Sequence, residues 1–166
     1  MKYVDVVLKA GRKTITLLII LFFCSYLTFA QAPSHTAKFS PQIDNNINGF
    51  WEYLPRNYTA DTDTRYPLII FLHGAGAQGS TPDITTISKV LENGAPKLIA
   101  NNQFPETFVV NNKTYRFIII SPQIKQGISG STSIIQPSTI EALLQYALST
   151  YRVDPGRIYL AGMSMG

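Results

Sequence analysis

Gly162-Met163-Ser164-Met165-Gly166 spells G-x-S-x-G directly after the apolar run Ile158-Tyr159-Leu160-Ala161. That order describes a sharp turn from a strand into a helix, with a serine at its apex. A serine hydroxyl is a weak nucleophile until a base takes its proton and donors hold the oxyanion that its attack creates. The turn addresses the geometry of this problem. Gly162 and Gly166 let the flanking backbone approach closely, which pushes Ser164 into a strained, exposed position. The Met165 N–H then points into the same space as one oxyanion donor. A surface turn with an idle serine is the bland alternative, because so short a string recurs by chance. The apolar run before it weighs against that alternative.

A second donor is expected from the loop after an earlier strand. His73-Gly74-Ala75-Gly76 follows Leu68-Ile69-Ile70-Phe71-Leu72, and Ala75 N–H is the expected donor, with Gly74 the neighbouring option. The loop lacks the Lys-Ser/Thr of a P-loop and the glycine spacing of a dinucleotide fingerprint, so phosphate binding is disfavoured. His35 and His73 are the only histidines. His73 is expected to brace the loop by hydrogen bonds, not to serve as the base, and His35 is expected to be solvated in a polar lead-in. Neither suits the base, which is therefore expected outside this chain. Asp154 and Arg157 are expected to pair with each other or with nearby amides. Asp61, Asp63 and Asp83 lack the clustered spacing of a metal site, and H-E-x-x-H and cysteine-histidine groupings are absent from the sequence. No metal and no cofactor are expected.

Buried strands and covering helices must position these groups. Leu68–Leu72, Arg116–Ile120 and Ile158–Ala161 suit parallel strands buried on both faces. Gly49–Pro55 has aromatic, strand-like composition, and Asn111-Asn112 between Phe108–Val110 and Lys113–Tyr115 predicts a hairpin. Thr85–Ala100 predicts a helix to about Asn93 and another turn or two from Pro96. Residues 124–137 read as a loop. Ser138-Thr139-Ile140-Glu141 matches a capping box, and Ile140, Leu143, Leu144, Ala147, Leu148 and Tyr151 continue it as an apolar stripe. Val153–Arg157 reads as a turn. Strands alternating with helices imply an α/β fold, with a mostly parallel sheet and helices on both faces.

The N-terminus stands apart. Lys2, Lys9, Arg12 and Lys13 precede the uncharged stretch Thr14–Ala30, and Ala30-Gln31-Ala32 offers an A-x-A cleavage site. Residues 1–32 read as a signal peptide cleaved near Ala30 or Ala32, implying a secreted or periplasmic protein. An uncleaved Thr14–Ala30 membrane anchor is the alternative. Cys24, the single cysteine, lies in this stretch. The whole chain has a formal charge of +4, but beyond residue 32 ten basic residues face nine acidic ones, a net +1. That balance gives no argument for a nucleic-acid partner. Residues 33–48 read as a lead-in linker and 49–166 as the N-terminal portion of a domain ending at the serine turn.

With Ser164 and His73 in place, the chain resembles secreted bacterial α/β-hydrolases of the polyhydroxybutyrate-depolymerase and feruloyl-esterase-like group, which overlaps predicted peptidases and phospholipase/carboxylesterases. YLPRNY, YPLIIFLHGAG, NGAPKLIA, FIIISPQ and above all YRVDPGRIYLAGMSMG carry the resemblance, over about residues 49–166. It implies a truncated α/β-hydrolase fold, Ser164 as nucleophile, Ala75 and Met165 amides as the oxyanion hole, and Ser121-Pro122-Gln123 beside the site. It also implies hydrolysis of a small-molecule or polymer-borne carboxylic ester through an acyl-enzyme. The triad acid and histidine follow the elbow in that group, so the chain is expected to be a fragment, inactive by itself. A secreted serine peptidase and a non-catalytic remnant are the alternatives.

Overall fold

A computed structural model describes residues 31–39, 42–127 and 135–166. The segment read as a signal peptide lies outside these except for Gln31 and Ala32, as does the middle of the loop expected at 124–137. Residues Gln31–Gly166 form one compact unit around a five-stranded sheet. Its strands are β1 (Ser34–Lys38), β2 (Ile47–Leu54), β3 (Tyr66–Leu72), β6 (Ile118–Ile124) and β7 (Val153–Gly162), in the order β1-β2-β6-β3-β7. The strands β6, β3 and β7 run parallel, and β1 and β2 add to them antiparallel. A separate hairpin pairs β4 (Phe108–Val110) with β5 (Lys113–Tyr115). The α/β class expected from the sequence is the class observed.

Alternation along the apolar strands sends side chains to two different layers, as the period of a strand requires. Leu68, Ile70, Ile118 and Ile120 face α3 (Pro137–Thr150), where Leu143 and Ala147 are fully buried. Ile69 and Ile119 face the other way, with Tyr53 and with Ile99 of α2 (Gly94–Ala100). On this second face, Trp51 Nε1 also donates to Ile87 O of α1 (Ile84–Ile87) at 3.0 Å. All seven residues of β6 are buried. Each fully buried Leu or Ile there contributes roughly 1.5–3 kcal/mol of transfer free energy.

The helices α1 and α2 thus connect β3 to β6 across one face, and α3 connects β6 to β7 across the other. Since β6 and β7 flank β3 on opposite sides, the chain reverses direction across the sheet between β3 and β7. In open α/β sheets, the crevice at the carboxyl ends of the strands at such a switch point is where ligands bind.

Four expectations need correction. The lead-in is not irregular throughout: Ser34–Lys38 pairs with β2, from Ser34 opposite Leu54 to Lys38 opposite Phe50. Asp44 and Asn46 are also tied to α3, through Thr139 Oγ1 at 3.1 and 2.8 Å. The folded unit therefore begins well before residue 49. Secondly, α3 has Gln136 at its N-cap and Pro137 in its first turn, so Ser138 caps nothing, and Glu141 accepts from Gln145 Nε2 at 2.7 Å instead. Proline fixes φ near the helical value and lacks the donor that the first turn would leave unpaired, which suits it to start the helix. Thirdly, Val153–Arg157 lies within β7 as an irregularity: Tyr66 pairs with Val153, yet Leu68 pairs with Ile158. Lastly, the strand expected over Arg116–Ile120 is shifted along the chain: β6 begins at Ile118 and runs on to Ile124.

Candidate active site

The chain places G-x-S-x-G at the carboxyl end of β7, and His73–Gly76 at the carboxyl end of β3. Parallel pairing, with Leu72 opposite Gly162, puts the two loops side by side. An ideal Cβ added to Gly74 would lie 3.5 Å from Ser164 Cβ and 3.5 Å from Met163 O. Sequence reasoning expected this loop and this serine to share a site, and they are in contact distance at the switch point.

Ser164 has φ +59°. The other non-glycine residues with positive φ among those described are all asparagines: Asn57, Asn102, Asn111 and Asn112. Asparagine visits this region readily because its short amide bonds locally, whereas other L-residues pay roughly 1–3 kcal/mol for it. Neighbours hold Ser164 there. Met163 N donates to Leu72 O at 3.1 Å, and Gly166 N donates to Met163 O at 3.1 Å, closing the turn. A Cβ on Gly162 would meet the Gly166 carbonyl carbon at 2.5 Å, and one on Gly166 would meet Leu72 O at 2.5 Å. Glycine is therefore required at both positions by close approach. Gly74 and Gly76 differ: a Cβ at Gly74 meets only ordinary contacts, and one at Gly76 meets nothing within 4 Å. Glycine at 74 keeps the approach to Ser164 open, and nothing in the structure requires glycine at 76.

The loop itself forms a short 3-10 turn, Ala75–Ala77, closed by Ala77 N donating to Gly74 O at 3.1 Å. Its first amide, Ala75 N–H, has no acceptor within the turn, as at any helix start. Ala75 is exposed and Met165 is half-buried. A cavity of about 80 Å³ lies under the loop, lined by His73, Gly74, Ala77, Lys89, Val90 and Met163.

His73 is 3% exposed, and both ring nitrogens are engaged. Ile124 N–H donates to Nε2 at 2.9 Å, so the proton resides on Nδ1, which lies 2.7 Å from Gly74 O. Burial holds its pKa below the ordinary histidine value. With both nitrogens committed to backbone, the ring links β6 to the loop and has no lone pair to offer Ser164. His35 departs from expectation. It lies on edge strand β1, tilted against Trp51 with ring centroids 4.8 Å apart, and burial lowers its pKa to about 4. Three strands separate β1 from β7, about 19 Å at the usual strand spacing. The sheet does not bring His35 to the serine.

Asp154 and Arg157 sit at the amino end of β7, away from the site. Asp154 accepts from Gly156 N at 2.9 Å and from Arg157 Nε at 2.6 Å, and these hold its carboxyl below the usual range. Asp83 caps α1 by accepting from Thr86 N at 2.9 Å. Sequence reasoning missed the residues that pin the loop's far end. Asn48 Nδ2 donates to Gly79 O at 2.8 Å, and Gly79 N donates to Ile124 O at 3.1 Å. A polar residue interrupting strand-like composition, as Asn48 does before Gly49-Phe50-Trp51, was the available signal.

Comparison with known proteins finds no matching family model and no curated relative. Among solved structures, the chain is similar to a thermostable esterase at 19% identity and TM-score 0.44, over 81% of this chain and 35% of that one. It is similar to a ferulic acid esterase at 20% identity and TM-score 0.45, over 82% and 52%. A CE1 ferulic acid esterase from Anaeromyces mucronatus, in complex with ferulic acid, aligns at 16% identity and TM-score 0.42, over 84% and 51%. The chain thus spans between about a third and a half of the length of the structures it matches.

Proposed function

We propose that this chain carries the nucleophile and the oxyanion loop of a secreted or periplasmic serine hydrolase acting on carboxylic esters. The observation that carries this reading is the positive φ of Ser164, held by non-local contacts beside Gly74 at the topological switch point. Backbone strain persists only where surroundings enforce it, and it gathers at reacting groups. Ser164 Oγ attacks the ester carbonyl carbon while a base takes its proton. The Ala75 and Met165 amides stabilise the oxyanion. Collapse expels the alcohol, which takes the proton from the base, and water then releases the acid from the acyl-enzyme by the same two steps in reverse roles. His73, with both nitrogens bonded to backbone, and His35, at the opposite edge of the sheet, are not that base. The base and its acidic partner are proposed to lie beyond Gly166 in the whole protein, and reading the coding region past that codon tests this directly.

Fluorophosphonate labelling of the whole protein tests the rest. Labelling that vanishes in Ser164→Ala, together with turnover of p-nitrophenyl acetate in preference to peptide anilides, is the expected result. Preferential turnover of the anilides would make the protein a peptidase, and absence of labelling would make it a non-catalytic remnant. The N-terminal residue of the exported protein, expected near Gln31 or Pro33, tests the signal peptide.

A further inference from the structure

Gln123 is a complete amide buried at the end of β6, with no exposed surface. Its Nε2 donates to Ala77 O at 3.0 Å and to Thr86 O at 2.5 Å, and its Oε1 lies 3.5 Å from Thr86 Oγ1. The side chain therefore joins three segments: the strand it belongs to, the 3-10 turn after β3, and α1. Gly79 makes room for it, since a Cβ there would overlap the Gln123 amide and lie 2.8 Å from Asn48 Nδ2. Ala77 is the last residue of the turn that begins at Ala75, so holding the Ala77 carbonyl fixes the orientation of the whole turn.

We propose that Gln123 is a positioning residue that sets the conformation of the Ala75–Ala77 turn, and through it the aim of the Ala75 amide at Ser164. The second half of this statement rests on the serine-hydrolase reading; the first does not. A buried carbonyl deprived of its donor must move to find water or remain unpaired, and in a low-dielectric site both outcomes are unfavourable. His73 holds the beginning of the same loop at Gly74 O and cannot replace a contact at Ala77. An oxyanion donor displaced by a fraction of a bond length stabilises the transition state poorly while leaving ground-state ester binding nearly unchanged.

The test compares Gln123→Leu and Gln123→Glu with wild type in the whole protein. Hydrogen exchange of residues 74–79 is the primary readout, with the β4–β5 hairpin as internal reference. In Gln123→Leu, exchange at 74–79 is expected to rise at least about tenfold, and kcat on p-nitrophenyl acetate to fall about 10- to 100-fold with KM within about twofold. Glutamate in this cage of carbonyls donates only when protonated. The kcat of Gln123→Glu relative to wild type is therefore expected to recover as pH falls, a profile that a purely structural role would not give, and this variant serves if the leucine variant does not fold. Unchanged exchange at 74–79, or a lowered Tm with kcat and its pH profile untouched, overturns the proposal. If exchange responds but Ser164→Ala leaves ester hydrolysis intact, the clamp stands and the hydrolase reading falls.

Discussion

Two of the turns that hold residues at positive φ do so for opposite reasons. In the β4–β5 hairpin, Asn111 and Asn112 adopt φ 50° and 59°. A two-residue hairpin needs this backbone to match the strand twist, and asparagine accepts it cheaply. At the end of β7, Ser164 adopts φ 59°, a residue type with no such preference. Its conformation comes from elsewhere: from Leu72 O holding Met163 N, and from two glycines packed without room for a side chain. The hairpin is a local solution that its own sequence selects. The serine turn is a strained one that its neighbours enforce, and strain of this kind gathers at functional sites.

Removing the serine separates strain from chemistry most sharply. Ser164→Asn places a residue tolerant of positive φ at the apex, so labelling and ester turnover are expected to fall by about 10⁴-fold or more. Stability, read as the midpoint of urea unfolding, is expected to hold or to rise by up to about 1 kcal/mol. A clear loss of stability would mean that the serine is not strained. Gly162→Val attacks the enforcement instead: overlap with the Gly166 backbone is expected to destabilise by roughly 1–3 kcal/mol and to abolish labelling in the molecules that still fold.

A smaller effect comes from pH. His35 and His73 both have folded-state pKa values depressed by burial, His35 from 6.5 to about 4. The unfolded chain therefore binds protons before the folded one does. The contribution of His35 is intact above pH 6.5 and is lost as pH falls toward 4, and that of His73 falls in the same direction. Solvent screening at half-buried His35 keeps its share to roughly 1–2 kcal/mol. Across this range the urea midpoint of wild type is expected to fall relative to that of His35→Phe, which has no proton to bind at residue 35, and parallel curves would refute the assignment. The smallest effect belongs to the hairpin. Asn112→Gly is expected to change stability by less than about 1 kcal/mol and to leave labelling untouched, because that turn is decided locally.

Several parts of this architecture were legible in residue order. Asn111-Asn112 between two short strand-like segments announced its hairpin, and Leu68–Leu72 and the last three residues of the Arg116–Ile120 run announced buried strands. Other parts were not. Ser34–Lys38 carries no apolar alternation, and it becomes a strand because β2 offers it a free edge. The Asp154–Arg157 segment has the composition of a turn, and it does bend, but pairing with β3 on both sides absorbs it into β7. His35 was expected in water because its neighbours in sequence are polar. Its neighbours in space are Trp51 and Tyr53.

The site divides along the same line. Residue order alone determined that a serine flanked by glycines follows an apolar strand, and that a histidine and glycine-rich loop follows another, because local steric rules act on adjacent residues. Only the tertiary structure decided that the two loops meet, that His73 spends both nitrogens on backbone, and that Gln123 grips the turn beside Ser164. Those outcomes depend on the parallel pairing of β3 with β7 and β6, which is set by burial of apolar faces distributed over the whole unit and is written in no single segment.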